Sequence, residues 1–289
     1  MIITQLSGGL GNQMFQYAAG LRLATHHDVH LKMDISSFKA TKNHSFRLDS
    51  FENDASIATS REIDIIKRNA IQRSTSIFKW RYKKMALIEE NSYAYQPIID
   101  DSERDTYLSG NWRSTKYFRE IEDHVRSHFT PKKVFLEKME PTVNFIKEMK
   151  CPVGLHVRRR GRVDDPSTHA YYGDCDVSYY HSAIDKICEQ CDDVELLVFS
   201  DNLAWAKEHI KTTVSTCFVE SFQDEHPVFD MYLMSHCHHN IIANSLYSWW
   251  AAWLNEHSNK MVIAPEKWFK NSEMYNYISA LIPESWIKL

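Results

Sequence analysis

Four arginines fall within five positions at Arg158-Arg159-Arg160-Gly161-Arg162, just after an apolar run that begins at Val153 and carries His156. Guanidinium groups this close repel one another unless an anion or several carboxylates offset them. Each can bind phosphate oxygens through paired, charge-assisted hydrogen bonds, so a diphosphate is a natural counterpart. A solvated basic loop is the competing reading. Alternation along an extended chain puts His156, Arg158 and Arg160 on one face and Val157 and Arg159 on the other. A second candidate lies near the start, where Gly8, Gly9 and Gly11, three of only eight glycines, separate an apolar strand from a helical pattern. Glycine permits positive φ and close backbone approach, so this turn either offers amide hydrogens and a helix N-terminus to a phosphate or is an ordinary strand-to-helix turn. No Lys-Ser/Thr follows it, which excludes a P-loop, and it is not a full GxGxxG.

Two polar clusters end further apolar runs: Ser200-Asp201-Asn202 and Asn244-Ser245. Each can cap the following helix, and each also falls where a parallel sheet exposes strand ends to a ligand. Asp174-Cys175-Asp176 is the one DxD, a short pattern that arises easily by chance. Cys188 and Cys191 form a CxxC without a second pair beside it, which weighs against zinc or redox chemistry. His236, His238 and His239 flank Cys237 and read as surface or packing residues.

The elements that must position these residues fall into two regimes. From the start, a strand at Ile2 to Leu6, a helix carrying Met14, Phe15, Tyr17, Ala18 and Leu21, and a strand near Val29 to Met33 read as a βαβ unit. The stretch from Ser45 to Ser109 is less regular, with a helix opened by the capping box Thr59-Ser60-Arg61-Glu62 and a strand near Thr106 to Leu108. Charged helices follow near Tyr117 to His128 and Lys132 to Glu148, the second kinked or restarted at Pro141. Beyond Cys151 the rhythm is regular. Strands near Val153 to Val157, Glu195 to Phe199, Thr216 to Val219, Asn240 to Ala243 and Lys260 to Ile263 alternate with helices at Ser178 to Gln190, Leu203 to Ile210, Val228 to Cys237 and Ser245 to His257. This predicts a doubly wound parallel sheet, with Trp249, Trp250 and Trp253 in its core.

The chain of 289 residues, 43% hydrophobic, is long enough for two modest domains. Its net charge of −4, with Lys and Arg spread along the chain, excludes a field suited to nucleic acid. The N-terminus lacks the charged start and long apolar stretch of a secretory signal. The longest apolar tract, Ile241 to Leu254, is interrupted by Asn244, Ser245 and Ser248 and is too short to span a bilayer. A cytoplasmic protein with reduced thiols is expected.

Taken in order, GGLGNQMFQYA, HVRR, FSDN, NIIANSLYSWWAAWLN and VIAPEKW resemble the alpha-1,2-fucosyltransferase family across nearly the whole chain. The resemblance implies an α/β fold of GT-B type, two Rossmann-like domains facing a cleft. The expected division is an acceptor-side domain at 1–150, a donor domain at 151–265 and a tail at 266–289 that packs back on the first domain. It also implies inverting, metal-independent transfer of L-fucose from GDP-fucose, a co-substrate rather than a cofactor, to O2 of a terminal galactose on a glycan. If that acceptor is lipid-linked, the enzyme works close to a membrane without spanning it. By resemblance, Arg158 and Arg159 hold the donor diphosphate with His156 beside them. Gly8, Gly9, Gly11, Asn12 and Gln13 face the cleft, and Ser200, Asp201, Asn202, Asn244, Ser245 and Ser248 shape the nucleotide pocket.

One departure concerns the family pattern His-x-Arg-Arg-Gly-Asp, which here reads His-Val-Arg-Arg-Arg-Gly-Arg and lacks the aspartate. Another is Tyr172-Gly173 where relatives more often carry a His-Gly pair. Asp164, Asp165, Asp174, Asp176 and His156 are the candidate general bases, and the sequence does not choose among them. Two alternatives remain at this point: a transferase of the same architecture using another GDP-linked deoxy sugar, or a non-catalytic module that binds nucleotide sugars or glycans.

Overall fold

The computed structural model describes residues 1–40, 44–75, 85–92, 94–98, 102–159, 173–220, 226–270 and 279–289. The chain forms two compact units, Met1–Thr130 and Pro131–Leu289. Among the described residues no helix is long and apolar enough to cross a membrane.

The first unit is built on a five-stranded parallel sheet: β1 (Ile2–Gln5), β2 (Leu31–Asp34), β3 (Ser56–Ile57), β4 (Met85–Glu89) and β5 (Ser102–Ser109), in the order β3-β2-β1-β5-β4. Helix α1 (Leu10–His27) is apolar on most of its circumference and is accordingly buried along most of its length. Gly20 makes its packing possible, because a Cβ there would stand 2.9 Å from Leu31 and 3.0 Å from Thr4. A short helix, α2 (Ser37–Ala40), follows β2. The capping box forms as read: Glu62 accepts from the Thr59 backbone N–H at 2.8 Å and opens α3 (Ser60–Thr75). Two 3-10 turns and α4 (Glu122–His128) stand where one longer helix was expected.

In the second unit, β6 (Cys151–Val157), β7 (Val194–Ser200), β8 (Ser215–Phe218), β9 (His239–Ile241), β10 (Val262–Ala264) and β11 (Ile287–Lys288) form a parallel sheet in the order β11-β10-β9-β6-β7-β8. The helices are α5 (Lys133–Glu148), α6 (Val177–Cys188), α7 (Leu203–His209), α8 (Val228–Ser235) and α9 (Leu246–Leu254). Every residue of β6 is buried, as a central strand covered on both faces requires. Trp249 and Trp250 of α9 are completely buried and Trp253 nearly so.

Two features depart from expectation. The division falls at Thr130 rather than near Cys151, because α5 packs on α8 through Phe135 and Phe229. Helix α5 runs through Pro141 without a break; both Pro141 and Glu137, whose carbonyl the proline leaves without a helical donor, are exposed to water. The tail was expected to return to the first domain. Its described end adds β11 to the second sheet, and the Leu281 carbonyl accepts from Trp249 Nε1 at 2.9 Å.

Candidate active site

In a doubly wound sheet the ligand crevice opens at the carboxyl ends of the strands, where successive connections leave in opposite directions. In the second unit the chain passes from β6 outward to β7 and β8, then returns to place β9 on the other side of β6. The switch point therefore lies between the ends of β6 and β9, with the end of β7 beside it. Arg158 and Arg159 leave β6 there, Ser200-Asp201-Asn202 ends β7, and Asn244-Ser245 follows β9.

Asp201 organises the arginines. Its Oδ1 accepts from the Arg159 backbone N–H at 2.7 Å, and its Oδ2 lies 3.1 Å from Arg158 Nε. The Asp201 side chain is only 7% exposed while that of Arg158 is 34% exposed, so the carboxylate is desolvated and the guanidinium keeps an open side. Arg159 turns the other way: its Nη1 pairs with Asp174 at 3.3 Å, and its guanidinium lies 4.0 Å above the Trp205 ring. The far side of that stack is closed by His209, parallel to Trp205 at 4.2 Å. A guanidinium carries five N–H donors, so these contacts fix each group's direction while leaving donors for an anion.

The remaining predicted residues mostly build the frame. Ser200 Oγ accepts from Asn202 N, and Asn202 caps α7 by accepting from Trp205 N, which places the arginine-stacking ring. Asn244, almost completely buried, donates to the carbonyls of Gly173 and Trp268. Ser248 is buried and donates back to Ser245 O, while Ser245 is half-buried at the start of α9. His156 is completely buried against Tyr247, so in this conformation it supports the sheet end and does not present its ring to an acceptor. Burial and the charge of Asp230 push the Tyr247 hydroxyl well above its ordinary pKa, keeping it a donor, to Pro227 O. Of the carboxylates, Asp174 is engaged with Arg159 and Asp176 is exposed ahead of α6. Asp164 and Asp165, with Arg160, Gly161, Arg162 and Tyr172, lie outside the described residues.

The first unit has its own switch point, between β1 and β5. Gly8 there adopts φ +72°, which glycine alone takes without strain. The turn is pinned by Gln13, which donates to Gly8 O and Ser45 O and accepts from Arg47 N. Gly9 precedes α1 and Gly11 is buried within it. Asn12 Oδ1 accepts from Arg113 Nε and Nη2 at 3.1 and 2.8 Å, tying the glycine turn to the loop after β5. Both that loop's Asn111 and Trp112 backbone N–H groups bind the Glu90 carboxylate, and Trp112 is held at φ 53°. A cavity of about 680 Å³ opens at the amino ends of β1 and β2, the edge opposite to this one, lined by Met1, His30, Lys32 and Arg104 among others.

Trp205, Glu90 and Arg113 were not singled out from the sequence. Their positions in a helix and in irregular loops gave no periodic or motif signal, and only the fold brings them to the strand ends.

The sequence matches glycosyl transferase family 11 over residues 1–289. The chain belongs to that family. It is 31% identical over 297 residues to an alpha-1,2-colitosyltransferase of Escherichia coli, covering 100% of this chain and 99% of that protein. It is 32% identical over 303 residues to the O-antigen biosynthesis glycosyltransferase WbnK of Escherichia coli, covering 98% and 99%. Among solved structures it resembles the NodZ alpha-1,6-fucosyltransferase soaked with GDP-fucose, with a TM-score of 0.53 and 16% identity over 88% of this chain and 91% of that one. At that identity the likeness speaks for the fold alone. With the two parallel α/β units described above, it makes this family 11 chain a GT-B type protein.

Proposed function

We propose that this family 11 glycosyltransferase moves an L-fucose unit from GDP-fucose, with inversion, to O2 of a terminal galactose on a glycan. The observation that carries the reading is the pair of guanidinium groups at the switch point of the second unit, each aimed by a carboxylate. Cleaving a sugar–diphosphate bond builds negative charge on the departing GDP. Pre-oriented guanidinium donors stabilise that charge in the transition state at little reorganisation cost. Arg158 and Arg159 are assigned to the diphosphate, with Asp201, Asp174 and Trp205 positioning them. The first unit is assigned to the acceptor side.

The acceptor hydroxyl must lose its proton as it attacks the anomeric carbon. Asp174 is a poor choice of base because Arg159 already uses its carboxylate, and His156 is enclosed. Asp164, Asp165 and Asp176 are therefore the assigned candidates.

A second donor is favoured by the likeness to a colitosyltransferase over the full length of both chains. Colitose is L-fucose without its 3-hydroxyl, so one diphosphate clamp serves both, and discrimination rests on whatever meets the sugar's third carbon. Incubating the protein with GDP-fucose or GDP-colitose and a galactose-terminated oligosaccharide, then weighing the product, separates them. Transfer from GDP-fucose supports the first reading and transfer from GDP-colitose alone supports the second. Binding of both donors without product would point to a non-catalytic module.

A further inference from the structure

At the edge of the second sheet opposite the arginines, three side chains from distant parts of the chain converge. Cys151 opens β6, Cys191 lies in the turn between α6 and β7, and His239 opens β9, which pairs with β6. The two sulfurs and the His239 Nε2 all lie within 4.8 Å of one another, and Cys191 Sγ is 3.2 Å from Nε2. Cys151 is buried, whereas Cys191 is partly open to solvent.

Two cysteines and a histidine at this spacing suggest a soft metal, but the histidine's protonation argues against one. Burial, followed by the charges of His257 and His238, lowers His239 to about 4, so its ring is neutral and carries one N–H. Its Nδ1 accepts from the Met261 backbone N–H at 2.9 Å. The proton therefore sits on Nε2, which faces Cys191 as a donor and has no lone pair to offer a metal. A metal-bound histidine ordinarily donates from its other nitrogen, the reverse of what Met261 imposes.

The geometry points to a thiol-modification site: Cys191 is the reactive thiol, its sulfur supported by His239 Nε2–H, and Cys151 is the resolving thiol with which it closes a disulfide. Burial first, and then the neighbouring Cys191 sulfur, push the Cys151 thiol up to about 12, so Cys151 waits protonated while Cys191 attacks. The oxidant is a low-molecular-weight disulfide. The Cys191 thiolate attacks one of its sulfurs, forming a mixed disulfide and releasing one thiolate, which takes up the proton that Cys191 gave up. Cys151 then loses its proton and attacks the Cys191 sulfur, releasing the second thiol. The protein loses two electrons and two protons, and the reagent gains both. The bridge must bring the sulfurs to about 2.05 Å from their present separation of no more than 4.8 Å.

The full chain, reduced and then exposed to oxidised glutathione, is expected to lose two hydrogens in intact mass, with a peptide map joining Cys151 to Cys191. C151S should stop at a glutathione adduct on Cys191, C191S should form neither product, and C188S should link as the wild type does. Under iodoacetamide, Cys191 should react faster than the exposed Cys217 of the same molecules. H239F should remove about tenfold or more of that advantage, the scale of one lost charge-assisted hydrogen bond. Using Cys217 as an internal reference keeps the comparison valid if H239F also loosens the fold. The proposal is overturned if Cys188–Cys191 is the linkage formed, or if Cys191 reacts no faster than Cys217. It is equally overturned if the purified protein carries one equivalent of zinc that C191S lacks.

Discussion

Replacing Asp201 by asparagine tests how the arginines are aimed without altering an arginine. The wild-type carboxylate accepts a hydrogen bond from the Arg159 backbone N–H at 2.7 Å and forms an ion pair with Arg158 Nε at 3.1 Å, at a side chain only 7% exposed. Asparagine keeps the shape and one oxygen. If that oxygen stays on the backbone N–H, the amide NH₂ meets Arg158 Nε–H donor to donor, and the guanidinium must turn away. The loss is one charge-assisted bond, about 1.5 to 3 kcal/mol. If Arg158 grips the donor only in its Asp201-bound direction, GDP affinity falls by about ten- to a hundredfold. Calorimetric titration with GDP reads the effect, and thermal unfolding of the same sample establishes that the variant is folded. A folded D201N protein binding GDP within about twofold of wild type would refute the assignment of Asp201 and weaken that of Arg158.

Trp205→Leu removes the platform under Arg159 and should weaken GDP binding several-fold, about 0.5 to 2 kcal/mol, while Trp205→Phe should recover most of it; titration of both variants is the check. Asparagine variants of Asp164, Asp165, Asp174 and Asp176 should separate by role: the true base loses about a hundredfold or more in turnover with GDP affinity kept. D174N, which frees Arg159, should lose affinity as well; four wild-type turnover rates would leave the base unassigned. Activity should survive excess EDTA, because guanidinium groups neutralise the leaving group, and loss restored by manganese would contradict this. Asp34 is pushed up by burial, but hydrogen bonds from Ser36 and Tyr107 outweigh that and hold its carboxyl below the usual range. A depressed carboxyl contributes stability above its unfolded-state pKa and loses it as pH falls through the folded one. Tyr107→Phe removes a 2.7 Å bond, so melting curves across the acid range should show a lower Tm near neutrality and a shallower decline on acidification.

Much of the second unit was legible in the sequence because its central strands are buried on both faces and read as short apolar runs, and β6 and β7 follow the predicted ranges closely. The first unit was harder. β3 is only two residues, Ser56–Ile57, too short for alternation to show, and the apolar run Met85–Ile88 of β4 is equally compatible with a turn of buried helix. Asp201 and the arginines could be found because strand-end residues lie next to readable strands. Trp205 could not, since its role depends on a stack against a residue more than one element away. The same holds for Cys191: CxxC alone is a weak pattern, and its partners Cys151 and His239 are supplied by the strand order rather than by spacing. Pro141 shows the converse, a strong local signal overridden on the exposed face of a helix.

Transfer of a deoxyhexose from a GDP-linked donor through an Arg158–Arg159 clamp is the proposed activity. The most direct test is mass spectrometry of a galactose-terminated oligosaccharide incubated with GDP-fucose, GDP-colitose, GDP-mannose or a UDP-sugar, using wild type beside the R158A/R159A variant. Wild type is expected to add one fucose or colitose residue to the acceptor, drawn from a GDP donor, and the double variant to add none while remaining folded. Transfer from the UDP-sugar, or an unimpaired double variant, would contradict it.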